Sequence, residues 1–124
     1  MPDYDVVEIK AFVPAKDFEL SKKFYSDIGF DLIWSDGDLA YFKAQSSSFL
    51  LQNYYVKEHA DSFVMHLLVK NSDDWWSRIK SNNVVEKYGI RLGEPEDREW
   101  GLRDFTLFDP TGVLWRIGNV INKT

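Results

Sequence analysis

Few side chains in this sequence could carry out chemistry by themselves. The chain has no cysteine, which excludes disulfides, thiolate metal sites and cysteine nucleophiles. It has two histidines, His59 and His66, and general acid–base catalysis most often uses histidine. No Ser-His-Asp arrangement, glycine-rich phosphate loop or His-x-x-x-His pattern is present in the sequence. We therefore predict no catalytic residue.

Aromatic side chains are abundant, and they can form flat walls for ligand pockets. Five Trp, six Tyr and nine Phe make up 16% of the chain. Trp100 stands in a charged loop where a core residue is less expected, so a ligand wall and a core position are equally open. Trp34 ends a strand before a turn, which favours a core or dimer-interface position over a ligand contact. His66 lies in an apolar string and is expected in the core, with a functional role as the alternative.

Strand alternation predicts where the other candidates point. Tyr41 should share a face with Leu39 and could offer its hydroxyl to a ligand. Trp115 alternates with its neighbours and should face the helices rather than a cavity. Trp75 and Trp76 lie on a helix, where packing is the simplest role.

The net charge indicates which classes of binding partner suit the chain. It is −5, with a sequence pI of about 4.9, which argues against nucleic acid because phosphates demand a basic surface. A negative potential suits a cationic small molecule, although ordinary solubility is the favoured explanation of the charge. No apolar run approaches the ~18 residues of a membrane span. The acidic N-terminus lacks an export signal, so we expect a cytoplasmic protein.

The first half of the chain predicts the order βαβββ. Val6 to Val13 is expected to form a strand that Pro14 ends. Asp17 should cap a helix in which Leu20, Phe24 and Ile28 recur, and Gly29 should end it. Turn residues separate three further strands, which we place at Phe30–Trp34, Leu39–Ala44 and Ser48–Tyr55.

The second half repeats this plan. Phe63–Lys70 is apolar on both faces and predicts a buried strand. Ser72 should cap a short helix, and a weak strand is expected between Val84 and Trp100. Phe105–Phe108 and Val113–Val120 predict a hairpin around an Asp-Pro-Thr-Gly turn. An offset of 66 residues also aligns the two halves, which indicates a duplicated unit. It pairs Phe49 with Trp115, Leu51 with Ile117 and Asn53 with Asn119.

Two stretches of the sequence resemble a known superfamily, that of glyoxalases, bleomycin-resistance proteins and extradiol dioxygenases. They are Phe12-Val13-Pro14-Ala15-Lys16-Asp17 with the following helix, and Glu99-Trp100-Gly101-Leu102-Arg103-Asp104-Phe105 with Asp109-Pro110-Thr111-Gly112-Val113. The second resembles the bleomycin-resistance branch, with Asp104 for the usual Glu and Val113 for the usual Asn. The loop from Asn82 to Glu96 matches poorly.

The resemblance implies the vicinal oxygen chelate fold, an α+β fold. Two tandem βαβββ modules form a curved mixed sheet around a concave cavity. We expect a single domain over residues 1–124, with module 1 at about 5–56 and module 2 at about 62–121.

In metal-dependent members of the superfamily, four His or Glu side chains in the cavity hold the ion. The matching positions here are Glu8, Leu50, Val64 and Arg116. Leu and Val offer no lone pairs, and Arg brings a positive charge. We therefore expect no metal and no cofactor, unless His66 belongs to a different ligand set. Glu8 and Arg116 are expected to pair with each other or to meet polar groups of a ligand.

Bleomycin-resistance proteins sequester a cationic drug without modifying it. They bind the drug in aromatic-lined grooves of a homodimer with swapped segments. The groove positions fall on Trp34, Leu39, His66 and Trp100. The resemblance therefore implies a non-catalytic, metal-independent binding protein for a cationic or aromatic compound, possibly a bleomycin-like antibiotic. The alternatives are a lyase or thiol transferase with an atypical metal site, and an interaction domain without a small ligand.

Overall fold

The computed structural model describes residues 1–121 and contains two four-stranded sheets of the same topology. Module 1 comprises β1 (Phe12–Pro14), α1 (Phe18–Ile28), β2 (Asp31–Ser35), β3 (Leu39–Ala44) and β4 (Ser47–Gln52). Module 2 follows α2 (Lys57–Asp61) and comprises β5 (Val64–Leu68), α3 (Ser72–Ser81), α4 (Val84–Tyr88), β6 (Glu96–Asp97), β7 (Leu102–Phe108) and β8 (Leu114–Val120). The strand orders are β1-β4-β3-β2 and β5-β8-β7-β6. The predicted α+β fold with two βαβββ modules is therefore confirmed.

Local sequence signals set the limits of the two long helices. The Asp17 side chain accepts a hydrogen bond from the Leu20 N–H at the start of α1, as predicted. Gly29 ends α1 in the left-handed conformation that glycine adopts at little cost. The predicted cap of α3 is wrong by one residue, because Asn71 caps the helix and Ser72 is its first residue. The Ser72 hydroxyl instead donates to Asn119 at 2.6 Å.

The core lies between the helices and one face of each sheet. Phe42 and Phe49 stack there at 5.5 Å, and Phe49 meets the Trp115 ring at 5.3 Å. The four apolar residues paired by the 66-residue offset are all buried, namely Phe49, Leu51, Trp115 and Ile117. Leu20 was expected on the buried face of α1 but is exposed, and that face includes Phe24 and Ile28.

A buried hydrogen-bond chain joins the two modules. The Tyr25 hydroxyl on α1 donates to Asp109 Oδ2 at 2.5 Å and accepts from Trp115 Nε1 at 2.9 Å. Asp109 Oδ1 accepts three backbone N–H groups of the turn between β7 and β8, each at 2.9 Å. Desolvation raises the pKa of Asp109, and that of Tyr25 is also raised.

Two strand predictions need correction. The strand predicted over Val6–Val13 is reduced to β1, and residues 1–11 form neither helix nor strand. Val6, Val7 and Ile9 are exposed, and residues 1–11, which we call the N-terminal arm, form no strand pairing with any other part of residues 1–121. The strand β5 was expected to be buried on both faces, yet every second side chain is exposed. It is an edge strand that pairs, within residues 1–121, with β8.

The segment between α3 and β7 contains more structure than expected. The weak strand is present as the two-residue β6. The short helix α4 was not predicted, nor was α2 between the modules. No helix in residues 1–121 is long and apolar enough to cross a membrane.

Candidate ligand-binding site

The face of each sheet that points away from the helices carries the candidate site, and we call it the open face. Side chains alternate along β3, so that Ala40 and Phe42 enter the core while Leu39 and Tyr41 remain half-buried on the open face. In β8, Trp115 enters the core and Arg116 lies on the open face. The predicted directions of Tyr41 and Trp115 are thus confirmed.

The open face of module 1 carries a cluster centred on Glu8. The Tyr41 hydroxyl donates to Glu8 Oε2 at 2.7 Å, the Ser48 hydroxyl donates to the same atom, and Lys10 Nζ donates to Oε1 at 3.1 Å. These hydrogen bonds, that from Ser48 foremost, lower the pKa of Glu8 to about 2. The carboxylate is therefore ionised at neutral pH. It already accepts the hydrogen bond of the Tyr41 hydroxyl, which was expected to be offered to a ligand.

Trp34 lies next to this cluster. Its ring centroid is 6.4 Å from that of Tyr41, and 47% of its surface is exposed. Leu39 lies on the same strand as Tyr41, two residues away. The structure thus places four predicted site residues together on module 1, namely Glu8, Trp34, Leu39 and Tyr41.

The open face of module 2 carries a cluster centred on Asp104, which is 1% exposed. Arg98 Nε donates to its Oδ1 at 2.7 Å, and Arg116 Nε donates to its Oδ2 at 3.1 Å. Desolvation acts to raise the pKa of Asp104, but the hydrogen bonds from the two arginines lower it overall. A buried carboxylate thus remains ionised and fixes both guanidinium groups.

Gly118 makes room for this buried carboxylate. A Cβ added at this position of β8 would lie 2.7 Å from the Asp104 Cβ and 3.0 Å from the backbone oxygen of Arg103. Both distances are shorter than ordinary van der Waals contacts of a Cβ atom, and the Arg103 oxygen belongs to the backbone, which cannot easily move away. The close approach of β7 and β8 at Asp104 therefore depends on glycine at position 118.

Trp100 and His66 complete the module 2 part of the site. The Arg116 guanidinium lies 5.9 Å from the centroid of the Trp100 ring, and 63% of Trp100 is exposed. His66 stands beside Arg116 in the parallel pairing of β5 with β8. Its expected place in the core is wrong, because β5 is an edge strand and the open-face side chains of an edge strand are not covered.

A crevice lies between the two modules. It encloses about 290 Å³ and is lined by residues of β4, β5 and the core edge. Ser48, which bonds Glu8, and His66, which neighbours Arg116, both line it. The crevice therefore borders one residue of the Glu8 cluster and the strand neighbour of Arg116, one from each module.

The four positions that hold a metal in other members of the superfamily do not fit a divalent ion here. Leu50 and Val64 have hydrocarbon side chains, and Arg116 is cationic. Residues 1–121 contain no group of three or more His, Asp or Glu side chains that could hold an ion. The expected ion pair between Glu8 and Arg116 is wrong, since Glu8 pairs with Lys10 and Arg116 with Asp104.

The sequence did not single out Arg98, Asp104 or Ser48 as members of the site. Asp104 had a signal, since it departs from the glutamate that is usual in the resembling motif. Ser48 had none, because it meets Glu8 only through folding that brings residues 40 positions apart together.

Comparison with known proteins places the chain in a family. The sequence model of the Glyoxalase/Bleomycin resistance protein/Dioxygenase superfamily matches residues 7–117. No curated protein sequence matches the chain.

Solved structures share the fold at low sequence identity. A bleomycin-binding protein complexed with bleomycin is 22% identical with a TM-score of 0.75, over 94% of this chain and 98% of that one. An antibiotic binding protein from Streptomyces sp. CB03234 is 22% identical with a TM-score of 0.69, over 97% and 98%. A lactoylglutathione lyase from Agrobacterium tumefaciens is 18% identical with a TM-score of 0.65, over 95% of each chain. Because binding proteins and an enzyme share this fold, the fold alone does not select a function. On the match of its sequence over residues 7–117, the chain belongs to the Glyoxalase/Bleomycin resistance protein/Dioxygenase superfamily.

Proposed function

We propose that this protein is a non-catalytic binding protein that sequesters an aromatic or cationic small molecule in a groove formed by two copies of the chain. The observation that carries the proposal is the exposure of Trp34 and Trp100 on the open faces of the two modules. Large aromatic side chains are usually buried to a high degree. Two that remain exposed beside fixed polar clusters are suited to hold a flat ligand.

The energetics of such a groove favour an aromatic or cationic ligand. Stacking on one Trp ring contributes about 0.5–1.5 kcal/mol, and a cation over its face about 0.5–2 kcal/mol. Two rings engaged at once would combine these contributions. The net charge of −5 adds a general attraction for cations.

The second copy is supported by apolar surface that the single chain leaves uncovered. Val6 and Val7 of the arm are exposed, as are Val64 and Leu68 on the edge strand β5. A free strand edge and an extended arm with alternating apolar residues can pair as an added strand. We propose that the arm of each copy docks on the other copy and thereby brings an open face of each into one groove.

Glu8 defines which part of the arm is free to reach the second copy. Its hydrogen bonds to Tyr41 and Ser48 tie it to module 1 of its own chain. Residues 1–7 precede this anchor, and seven extended residues span about 23 Å. This length is enough to cross a subunit interface.

The solved relatives lend support to the ligand class. They include a bleomycin-binding protein and an antibiotic binding protein of similar fold. A chain that binds a toxic compound without modifying it lowers the free concentration of that compound. Antibiotic resistance is therefore the physiological role we propose.

The test is a titration of intrinsic Trp fluorescence with bleomycin and a panel of cationic aromatic compounds. We expect saturable quenching at about one or two molecules per dimer. Each stacked ring contributes about 0.5–1.5 kcal/mol, so Trp34→Ala and Trp100→Ala should each weaken binding about threefold to tenfold.

The matched control for these variants is Tyr54→Ala. Tyr54 is 51% exposed but lies in the segment after β4, outside both clusters, so binding should remain unchanged. Quenching that persists at full affinity without Trp34 and Trp100 would place the site elsewhere. A loss of several kcal/mol of stability in Trp100→Ala would assign that residue to the core.

A further inference from the structure

The guanidinium of Arg116 is only partly engaged by the protein. Its Nε donates to Asp104, while its two terminal nitrogens have no hydrogen-bond partner within residues 1–121. The side chain is 33% exposed. An arginine carries five N–H donors and no acceptor, so the remaining donors of Arg116 are available to a ligand that accepts hydrogen bonds.

The charge balance around Asp104 also leaves Arg116 with unmatched positive charge. One carboxylate serves two guanidinium groups, those of Arg98 and Arg116. Arg98 has a second carboxylate, because Oε2 of Glu96 lies 3.4 Å from its Nη1. Within the described chain Arg116 has a single ion pair, that with Asp104.

Two residues, His66 and Trp100, lie next to Arg116. His66 is exposed beside it on β5, and its ring nitrogens make no hydrogen bond to any residue in 1–121. Trp100 lies on its other side, with the guanidinium over one face of the ring. That face already has a cation, so a ligand ring would stack on the remaining surface of Trp100.

We propose that Arg116 and His66 form an oxyanion subsite beside Trp100, and that the ligand is an aromatic compound carrying a carboxylate or a similar oxyanion. This inference rests on the proposed function and names the chemical class of its ligand. Arginine matches carboxylates and other oxyanions through paired N–H donors, whereas it repels a cation. The cationic preference suggested by the net charge therefore does not extend to this part of the groove.

The experiment compares two probes with the same ring system, 2-naphthoate and the neutral 2-naphthamide, by isothermal titration calorimetry. A charge-assisted hydrogen bond exceeds a neutral one by roughly 1.4 kcal/mol, which is about tenfold in affinity. We expect naphthoate to bind about tenfold more tightly than naphthamide. The ratio should fall to about one in Arg116→Gln.

Two further variants control for charge and for folding. Lys23→Gln removes the same charge from an exposed position of α1 and should keep the tenfold ratio. Arg116→Gln leaves buried Asp104 with one fewer partner, so the double variant Asp104→Asn/Arg116→Gln provides a version without an unpaired carboxylate. Its ratio should also be about one.

The outcomes separate this inference from the proposed function. A ratio near one in the unaltered protein, or a tenfold ratio that survives Arg116→Gln, overturns the subsite. If neither naphthalene probe binds but a cationic aromatic compound does, the subsite is wrong and sequestration stands. If no aromatic compound binds at all, both proposals fail.

Discussion

At the scale of single residues, Glu8 offers the most direct test of the site geometry. Its pKa of about 2 lies below its ordinary value of 4.5, so its contribution to stability is complete above pH 4.5 and is lost as the pH falls towards 2. Titration of the Glu8 carboxyl carbon by NMR should therefore give a midpoint near pH 2. In Tyr41→Phe/Ser48→Ala the midpoint should rise towards 4.5, because two donors to the ionised form are removed.

The control for this titration is Ser46→Ala, which alters a hydroxyl in the turn before β4 and should leave the midpoint in place. A midpoint near 4.5 in the unaltered protein would show that the arm does not dock at Tyr41 and Ser48. The proposed anchor of the arm would then be wrong.

Some residues of the candidate site could be recognised from their local sequence, whereas others depend on how distant strands pair. Trp100 could be singled out because a charged loop is an unusual place for a core tryptophan. The neighbours of His66 favoured a place in the core, and only the family resemblance put it among the groove positions, since a string of apolar residues reads the same in a central strand and in an edge strand. Which strand forms an edge depends on pairing between distant segments, which the local pattern does not contain.

At the scale of elements, the N-terminal arm is the part whose role is most sharply testable. Deletion of residues 2–7 removes the exposed Val6 and Val7 and leaves Glu8 in place. Because a buried valine contributes about 1.5–3 kcal/mol, we expect the proposed dimer to dissociate at least tenfold more readily in sedimentation equilibrium.

The matched control keeps the length and the apolar residues of the arm. Asp3→Asn/Asp5→Asn alters polar side chains of the same segment and should preserve the dimer. If the truncated chain dimerises as well as the full one, docking of the arm is excluded. If the full chain is a monomer at high concentration, the proposed groove between two copies does not form and the proposal is wrong.

The elements were predictable where a signal was local. The helix α1 has its cap at Asp17 and its glycine at Gly29, and β3 occupies the predicted residues. The five-residue helices α2 and α4 were missed because they are too short to show a period of 3.6 residues. The arm reads as a strand in sequence, yet a strand needs a partner, and residues 1–121 provide no strand that pairs with it.

At the scale of the whole molecule, the buried chain from Trp115 through Tyr25 to Asp109 links the two modules, and we infer that they fold as one domain. Tyr25→Phe removes the donor to Asp109 and the acceptor for Trp115 Nε1. Each buried group left without a partner costs about 1–3 kcal/mol, so the two groups together predict a loss of about 2–6 kcal/mol. Urea unfolding should show a single transition at a lower midpoint.

The control for this prediction is Tyr4→Phe, since Tyr4 is exposed on the arm and should leave the midpoint unchanged. Two separate transitions in the unaltered protein would show that the modules unfold independently. A midpoint unaffected by Tyr25→Phe would mean that the link contributes little.

The duplicated plan was visible in the sequence, but the linkage between its halves was not. The 66-residue offset paired core positions with core positions because both modules bury the same face of each sheet. Tyr25 and Asp109 are 84 residues apart, and no local pattern relates them.

Gly118 offers an indirect way to alter the proposed groove. Any larger side chain there would push against Asp104, which holds Arg116, which in turn lies over Trp100. We therefore expect an added methyl group at this position to shift Asp104 and Arg116 and to reorient Trp100, the proposed ligand wall. For laboratory evolution of new selectivity, position 118 offers a way to retune the groove while its lining residues stay as they are.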